Sequence, residues 1–379
     1  MAIFGFSFAF PFLSIFISKD LGVPQGRELD LWTAAIASVS GLSMAVASPI
    51  WGVLGDRFGR KPMLLRSMVG GAVTVGLIFF ARSPTDLLIL RFLQGATSGT
   101  VAAATALVAA ETPRNRVGWA LGVVTSAVAL GGAIGPVVGG LAGAAFGLRL
   151  VFLGGGVLLL LATIPVLVIV RESPRRPRVG PQVGTMDHIK QRPGAVRALA
   201  VLIGAQGLVN VCNSATQQLV VLRLLEMLTT GVSAVTGVAF GLAGVASSGA
   251  AVFYTLVTRR FGYVRTTAAA AVLVAVAVSL IGIAPWAAVV VAGVALNGLF
   301  SGVVIPATAS MIGLETPPEA QSTVFGVNAS SVALGFAIGP AIGGAVAATA
   351  SVSAALIVVA ILAIALAVLI AVGAREPSR

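Results

Sequence analysis

Charge is what this sequence has least of. Asp, Glu, Lys and Arg make up 9% of its 379 residues, where a soluble domain carries roughly a quarter. Apolar side chains supply 58%. Too few polar groups exist to cover an aqueous surface, so the solvent around most of this chain is lipid. A single cysteine, Cys212, excludes an intramolecular disulfide and has no companion for a structural zinc site. The single histidine, His188, stands in a stretch rich in Pro, Gly and Arg, where a solvated side chain is expected rather than a catalytic one. No GxxxxGKS/T loop for ATP is present, and no nucleophile, base and orienting group fall together, so an enzyme is not expected. The 24 basic residues outnumber the 12 acidic ones, yet they lie in short connections between apolar runs and form no single stripe, which argues against nucleic acid as a partner.

The apolar runs are long. A membrane helix needs about 20 mostly apolar residues, and twelve stretches meet or approach that length: Ala2–Ile17, Leu31–Val53, Met63–Phe80, Leu87–Ala110, Gly118–Ala144, Leu150–Val170, Ala198–Val221, Val232–Val257, Thr266–Ile283, Ala287–Met311, Ser322–Ala347 and Ala354–Ala374. The first is short, and without a basic leader or cleavage site it reads as a first span rather than a signal peptide. Counted on alternate sides, 18 Lys and Arg fall on one side and five (Lys19, Arg27, Arg82, Arg149 and Arg223) on the other. The basic side, which holds both termini, is expected in the cytoplasm of a bacterial inner membrane. Residues 171–197, dense in Pro, Gly and Arg, read as a cytoplasmic linker between bundles 1–170 and 198–379.

The two bundles share a text. The segment Glu111–Gly140 returns 204 positions later as Glu315–Gly344, with Gly122 matched by Gly326, Gly131 by Gly335, Gly135-Pro136 by Gly339-Pro340 and Gly139-Gly140 by Gly343-Gly344. Within Ala, Val and Leu such punctuation implies an internal duplication, and its natural setting is a transporter with a pathway between two similar halves. Glycines four apart form a stripe along which a second helix can approach closely, and Pro136 permits a kink.

Three motifs add chemistry. After the second run comes GVLGDRFGRKPML, with Gly52, Asp56, Arg57, Gly59, Arg60 and Lys61. The fourth carries LLILRFLQGATSG, in which Arg91 is a charge inside an apolar helix; on insertion scales it costs about 2.5–3.5 kcal/mol, so it should face a cavity or a partner. In the tenth run Asn297 and Gly298 align with Gln94 and Gly95, while Val294 replaces Arg91. The seventh is rich in amides: Gln206, Asn210, Asn213, Gln217 and Gln218 either line a cavity or hold neighbouring helices. Together these stretches resemble the major facilitator superfamily, the loop after the second run matching its signature and the fifth run, Gly122 to Gly140, matching the motif of its drug/proton antiporter branch.

That resemblance implies an all-α membrane protein, twelve transmembrane helices in two six-helix bundles, exporting drugs or other small amphiphiles by alternating access. It implies a monomer without cofactor, partnered by the bilayer, a small-molecule substrate and protons, and driven by a proton gradient. It implies further that Asp56 caps the start of the eleventh span near Ser322, that Arg60 pairs with Glu111 at the end of the fourth, and that these residues latch the basic side. In the second-half counterpart Gly262 is kept but Arg259 stands at the acid's place, so the latch is lopsided. Arg91 is tied by the same resemblance to proton coupling. No carboxylate lies well inside a run, which leaves Glu111 and Glu226, near span ends, as coupling candidates. Gln94, Gln206, Asn210, Asn213, Gln217 and Asn297 are the expected cavity residues, and a cavity of amides, rings and one Arg favours neutral or weakly anionic substrates. An uptake carrier, a uniporter and a membrane sensor that does not transport are the alternatives.

Overall fold

The structure, a computed structural model, describes residues 2–113, 116–172, 195–316 and 321–376. Every regular element among them is a helix. Eleven helical stretches are long and apolar enough to cross a membrane, and a shorter apolar stretch, Ser7–Lys19, belongs to the first span. That span is Ala2–Ala9, a 3-10 turn at Phe10–Phe12 and Leu13–Lys19. Pro11 explains the turn, since it lacks the N–H that a continuous helix would need there. The second span is Arg27–Phe58, the third Arg60–Leu77, the fifth Val117–Phe146 and the sixth Leu148–Val168. The seventh to twelfth are Ala195–Met227, Val232–Phe261, Tyr263–Ile283, Ala287–Glu315, Gln321–Thr349 and Val352–Gly373.

The fourth span departs from expectation. Instead of one helix it is two, Pro84–Thr97 and Thr100–Glu111. Ser83 and Asp86 close a capping box at its start, with Pro84 in the first turn. At Ser98 the backbone becomes extended, and Gly99 follows at φ +120°, a conformation that side-chain-bearing residues rarely adopt.

The duplication reappears as packing. In the first half the first span packs on the fifth, the second on the fourth and the third on the sixth; in the second half the seventh packs on the eleventh, the eighth on the tenth and the ninth on the twelfth. The two largest contacts that join the halves are second span to eleventh and fifth to eighth; smaller ones join the first span to the seventh and eighth and the second to the seventh. The largest buried side chains include Phe12, Phe16 and Phe152, the last two in an edge-to-face pair with centroids 5.1 Å apart.

Glycine sets the distance at these crossings. A side-chain carbon at Gly135 would stand 2.7 Å from Ser7 Cβ, and one at Gly335 would stand 2.7 Å from the Gly207 oxygen. Gly135 and Gly139 thus admit the first span, and Gly335, Gly339 and Gly343 the seventh. Both stripes lie inside their own half. Only the last glycine of each motif touches across: Gly140 meets Ser233 and Gly237 of the eighth span, and Gly344 meets Asp30 and Ala34 of the second. Gly131 is buried, and Pro136 and Pro340 lie within unbroken helices.

The cross-half contacts all lie toward the side with few basic residues. Gly41 lies against the Phe336–Ala337 backbone, and Gly237 and Gly140 lie against each other. Lys19 Nζ donates to the Thr229 oxygen at 3.3 Å, and Gln25 Nε2 to the Leu225 oxygen at 3.4 Å. Toward the basic side the glycines of the same four spans touch no neighbour: side-chain carbons at Gly52, Gly122, Gly249 and Gly326 would meet nothing within 4 Å. The halves are sealed at one face and parted at the other.

Candidate functional site

Arg91 sits two turns above the break in the fourth span. Its guanidinium lies 4.5 Å from the Phe10 ring centroid, over the turn of the first span, and its Nη1 donates to Gln94 Oε1 at 2.5 Å. A ring face and an amide therefore hold this charge, with no carboxylate on it among the described residues. Gln94 is buried and serves Arg91, so it is less available to a ligand than its place in the motif suggested. One residue on, Gly95 packs against Ser40 and Ser43 of the second span, as Gly298 packs against Ala243 of the eighth. Asn297 is half-buried.

Below Arg91 the freed carbonyls of the break find new donors. Trp51 Nε1 donates to the Ala96 oxygen at 2.6 Å, and Arg66 Nη2 to the Ser98 oxygen at 2.9 Å. The Arg66 guanidinium lies 3.6 Å from the Trp51 ring centroid, and Thr100 Oγ1 meets Ser67 Oγ at 3.1 Å. The second and third spans thus supply what the interrupted helix cannot, as unpaired backbone groups in a membrane require. The Thr97-Ser98-Gly99 run was the available signal, and it reads equally well as small-residue packing.

The amides of the seventh span divide by partner. Gln206 and Asn210 are buried: Gln206 Oε1 accepts from Thr308 Oγ1 of the tenth span, and Asn210 Nδ2 donates to the Gln206 oxygen at 2.8 Å. Asn213 Oδ1 accepts from Ser301 Oγ at 3.2 Å and is half-buried. Gln217, one turn further, is exposed. Asn213 and Gln217 are thus the less buried pair, while Gln206 ties the seventh span to the tenth and Asn210 bonds within its own helix. Glu226 pairs with Arg223 at 2.9 Å on its own helix.

At the basic end the loop after the second span is held by a residue that motif reading did not single out. Glu172, just beyond the sixth span, accepts from Arg60 N at 2.8 Å and Lys61 N at 2.9 Å through its two carboxylate oxygens. Lys61 Nζ reaches the Leu167 oxygen at 2.9 Å, and Arg60 Nη1 donates to the Ala106 oxygen of the fourth span. The second half repeats the device: Glu376, just beyond the twelfth span, accepts from Tyr263 N and Val264 N, both at 2.9 Å. Gly59 and Gly262, at φ +105° and +87°, turn the chain into these capped helices. Two N–H donors on one carboxylate at a helix start is a favourable place for negative charge. The signal was an Arg-Glu pair after both the sixth and twelfth spans, at the same 204-residue offset as the glycine motifs. Of the remaining latch residues, Arg57 is exposed and its guanidinium stands over Phe58. Glu111 ends the fourth span. The side chains of Asp56 and Ser322 lie outside the described residues, as does the linker from 173 to 194.

On the sealed face, Asp20 pairs with Arg149 at 3.7 Å. Partial burial raises the Asp20 carboxyl above the usual 3.8, while Arg149 acts against that shift.

Two repeated helical bundles, sealed at one face around a glycine-lined seam and parted at the other, are the architecture of a membrane transporter. The family comparison gives that class its name. The Major Facilitator Superfamily model matches residues 1–225 and again 207–379, so the chain belongs to that family of membrane transporters. It is 42% identical over 169 residues to the multidrug resistance protein MdtG of Proteus mirabilis, an alignment covering 45% of this chain and 42% of that protein. A second MdtG, from a Rahnella species, is 42% identical over 168 residues, covering 44% and 40%. The chain thus spans about 42% of the length of the first of these relatives in the matched region. Two solved structures share the fold over 97% of this chain and 96% of theirs: a point mutant of the nucleoside transporter NupG, at TM-score 0.78 and 13% identity, and the human organic anion transporter MFSD10, at 0.68 and 20%.

Proposed function

We propose that this protein exports small amphiphilic molecules by alternating access, driven by a proton gradient. In this reading the basic side faces the cytoplasm of a bacterial inner membrane, both termini lie there, and the protein works as a monomer. The bundles 1–170 and 198–379 rock against each other about the linker 171–197. The observation that carries the reading is the wedge: glycines packed across the seam at Gly140, Gly237 and Gly344, and unpacked at Gly52, Gly122, Gly249 and Gly326. Such a molecule is captured in the state that admits solute from the basic side. The similarity to proteins named for multidrug resistance favours export over uptake.

Within the parted region we assign solute binding to Arg91, Asn213, Gln217 and Asn297, with the Phe10 ring as an apolar wall. A cationic and amide-bearing site without a carboxylate favours neutral or anionic amphiphiles over dications. The test is growth of an efflux-deficient host expressing the protein on a panel of toxic amphiphiles, with and without a protonophore. Protonophore-sensitive resistance to neutral or anionic compounds supports export. Accumulation of labelled solute instead identifies an uptake carrier, and ligand binding without flux a sensor.

A further inference from the structure

The crease between the ninth and twelfth spans is open where its counterpart in the first half is filled. At the basic end it holds a cleft of about 410 Å³, lined by Val264, Arg265 and Ala268 of the ninth span and by Ala371, Ala374 and Glu376 at the end of the twelfth. The 204-residue offset sets Leu64, Leu167 and Val170 at the places of Ala268, Ala371 and Ala374, and Lys61 at that of Arg265. In the first half the larger side chains close the crease. Leu64 is buried with Met68 and Leu107, Val170 packs on that cluster, and Lys61 Nζ donates to the Leu167 oxygen at 2.9 Å. In the second half three alanines leave the space open, and the exposed Arg265 guanidinium has no hydrogen bond or ion pair among the described residues.

Charge at this end is mostly of one sign. Arg259, Arg260, Arg265 and Arg375 stand at the basic ends of the eighth, ninth and twelfth spans, against the one acid Glu376. Glu376 spends both carboxylate oxygens on Tyr263 N and Val264 N, at the positive end of the ninth helix, so its charge is largely offset there. Deeper along the crease the walls are apolar. The same two helix faces run on through Val272 and Val368, both exposed, to a second cavity of about 400 Å³ whose lining includes Val276, Leu280, Ile361 and Ile364. Val276 lies about three turns beyond Arg265, or about 16 Å along the axis. One leaflet of hydrocarbon is about 15 Å deep. A free cation at the membrane surface above an apolar groove one leaflet deep matches a phospholipid, headgroup and chain together, better than a soluble anion.

We propose that this crease binds an anionic phospholipid of the basic-side leaflet, its phosphate held by Arg265 and one acyl chain laid along Val272 and Val368 toward the second cavity. Basic clefts between membrane helices at such a surface take lipid headgroups of this kind. The lipid would fill in the second half the space that Leu64, Leu167 and Val170 fill in the first, and give Arg265 the acceptor that Lys61 finds in the Leu167 carbonyl. This goes beyond the export reading and does not depend on it.

The test uses full-length protein in detergent, titrated with phosphatidylglycerol and read by native mass spectrometry of the bound lipid. Phosphatidylglycerol is expected to bind more tightly than phosphatidylcholine with the same acyl chains. Loss of a hydrogen bond to a charged group is costly, so Arg265→Gln should weaken phosphatidylglycerol about tenfold or more. Arg260→Gln removes the same charge outside the cleft and should weaken it less. Ala371→Leu puts back the first half's side chain without changing any charge, and should also weaken binding; Val372→Leu, its neighbour outside the cleft, should not. All four positions are exposed, so none is needed to hold the fold. Equal weakening by the two arginine variants, or full binding in Ala371→Leu, overturns the proposal. So does displacement of the lipid by inorganic phosphate at the same concentration, which would make the cleft a site for a soluble anion. Failure of the resistance screen would instead strike export and leave this measurement standing.

Discussion

The seam offers a substitution whose effect is confined to one state. A side-chain carbon at Gly237 would stand 3.0 Å from Gly140 Cα and 3.3 Å from the Pro136 carbonyl carbon, and closer still to the Pro136 oxygen. All three neighbours are backbone atoms of the other half and cannot move aside as a side-chain tip would. Gly237→Ala therefore overpacks the closed seam and nothing else, and overpacking costs about 1–3 kcal/mol. Charged to one state of a two-state equilibrium, that is a shift of about 5–150-fold toward the seam-open form. Gly249, on the same helix, supplies the control, because a side-chain carbon there meets nothing within 4 Å. Both changes gain the same helix propensity, about 1 kcal/mol, so their difference isolates the clash. Labels at Phe146→Cys and Thr230→Cys, exposed positions at the seam ends of the fifth and eighth spans, report the separation. Gly237→Ala should lengthen it and Gly249→Ala should not. Equal distributions for the two variants would refute a seam closed by Gly140 and Gly237.

Three further outcomes are expected. Arg91→Ala should leave a folded, inserted protein with little flux, since neither Phe10 nor Gln94 replaces the charge; normal export in vesicles would remove Arg91 from the mechanism. Trp51→Phe removes the donor to Ala96 at the break and should cost about 0.5–1.5 kcal/mol, read as a lowered unfolding temperature in detergent that Gly122→Ala does not share. Because burial raises the Asp20 carboxyl, its proton binding favours the folded state, and stability should fall as pH rises through the interval just above 3.8; in Asp20→Asn that slope should flatten.

The duplication was legible because glycine and proline record how closely two backbones approach, and lipid-facing Ala, Val and Leu do not. The pairs Gly140 with Gly344 and Gly95 with Gly298 indeed occupy equivalent crossings. Hidden from the sequence was anything decided by a distant partner. Asp30 reads as a loop acid because hydropathy starts the span at Leu31, yet its burial is set by the eleventh span, far along the chain. Gln94 reads as a cavity amide until Arg91 takes its oxygen. The break at Ser98-Gly99 disappears in hydropathy, which runs evenly from Pro84 to Val108. Glu172 and Glu376 look like tail charges until the capped N–H groups of the third and ninth spans are seen beside them.

The two-piece fourth span has a mechanical consequence. Its equivalent, the tenth, is a single helix from Ala287 to Glu315, so a tilt imposed at one end is carried to the other. In the fourth, a tilt of Thr100–Glu111 need not pass the extended Ser98 and the turn at Gly99. The lower piece can then move on the basic side while Arg91, fixed above it against Phe10 and Gln94, keeps its place. Of two halves with one ancestry, only the half bearing the buried arginine has a joint of this kind among the described residues.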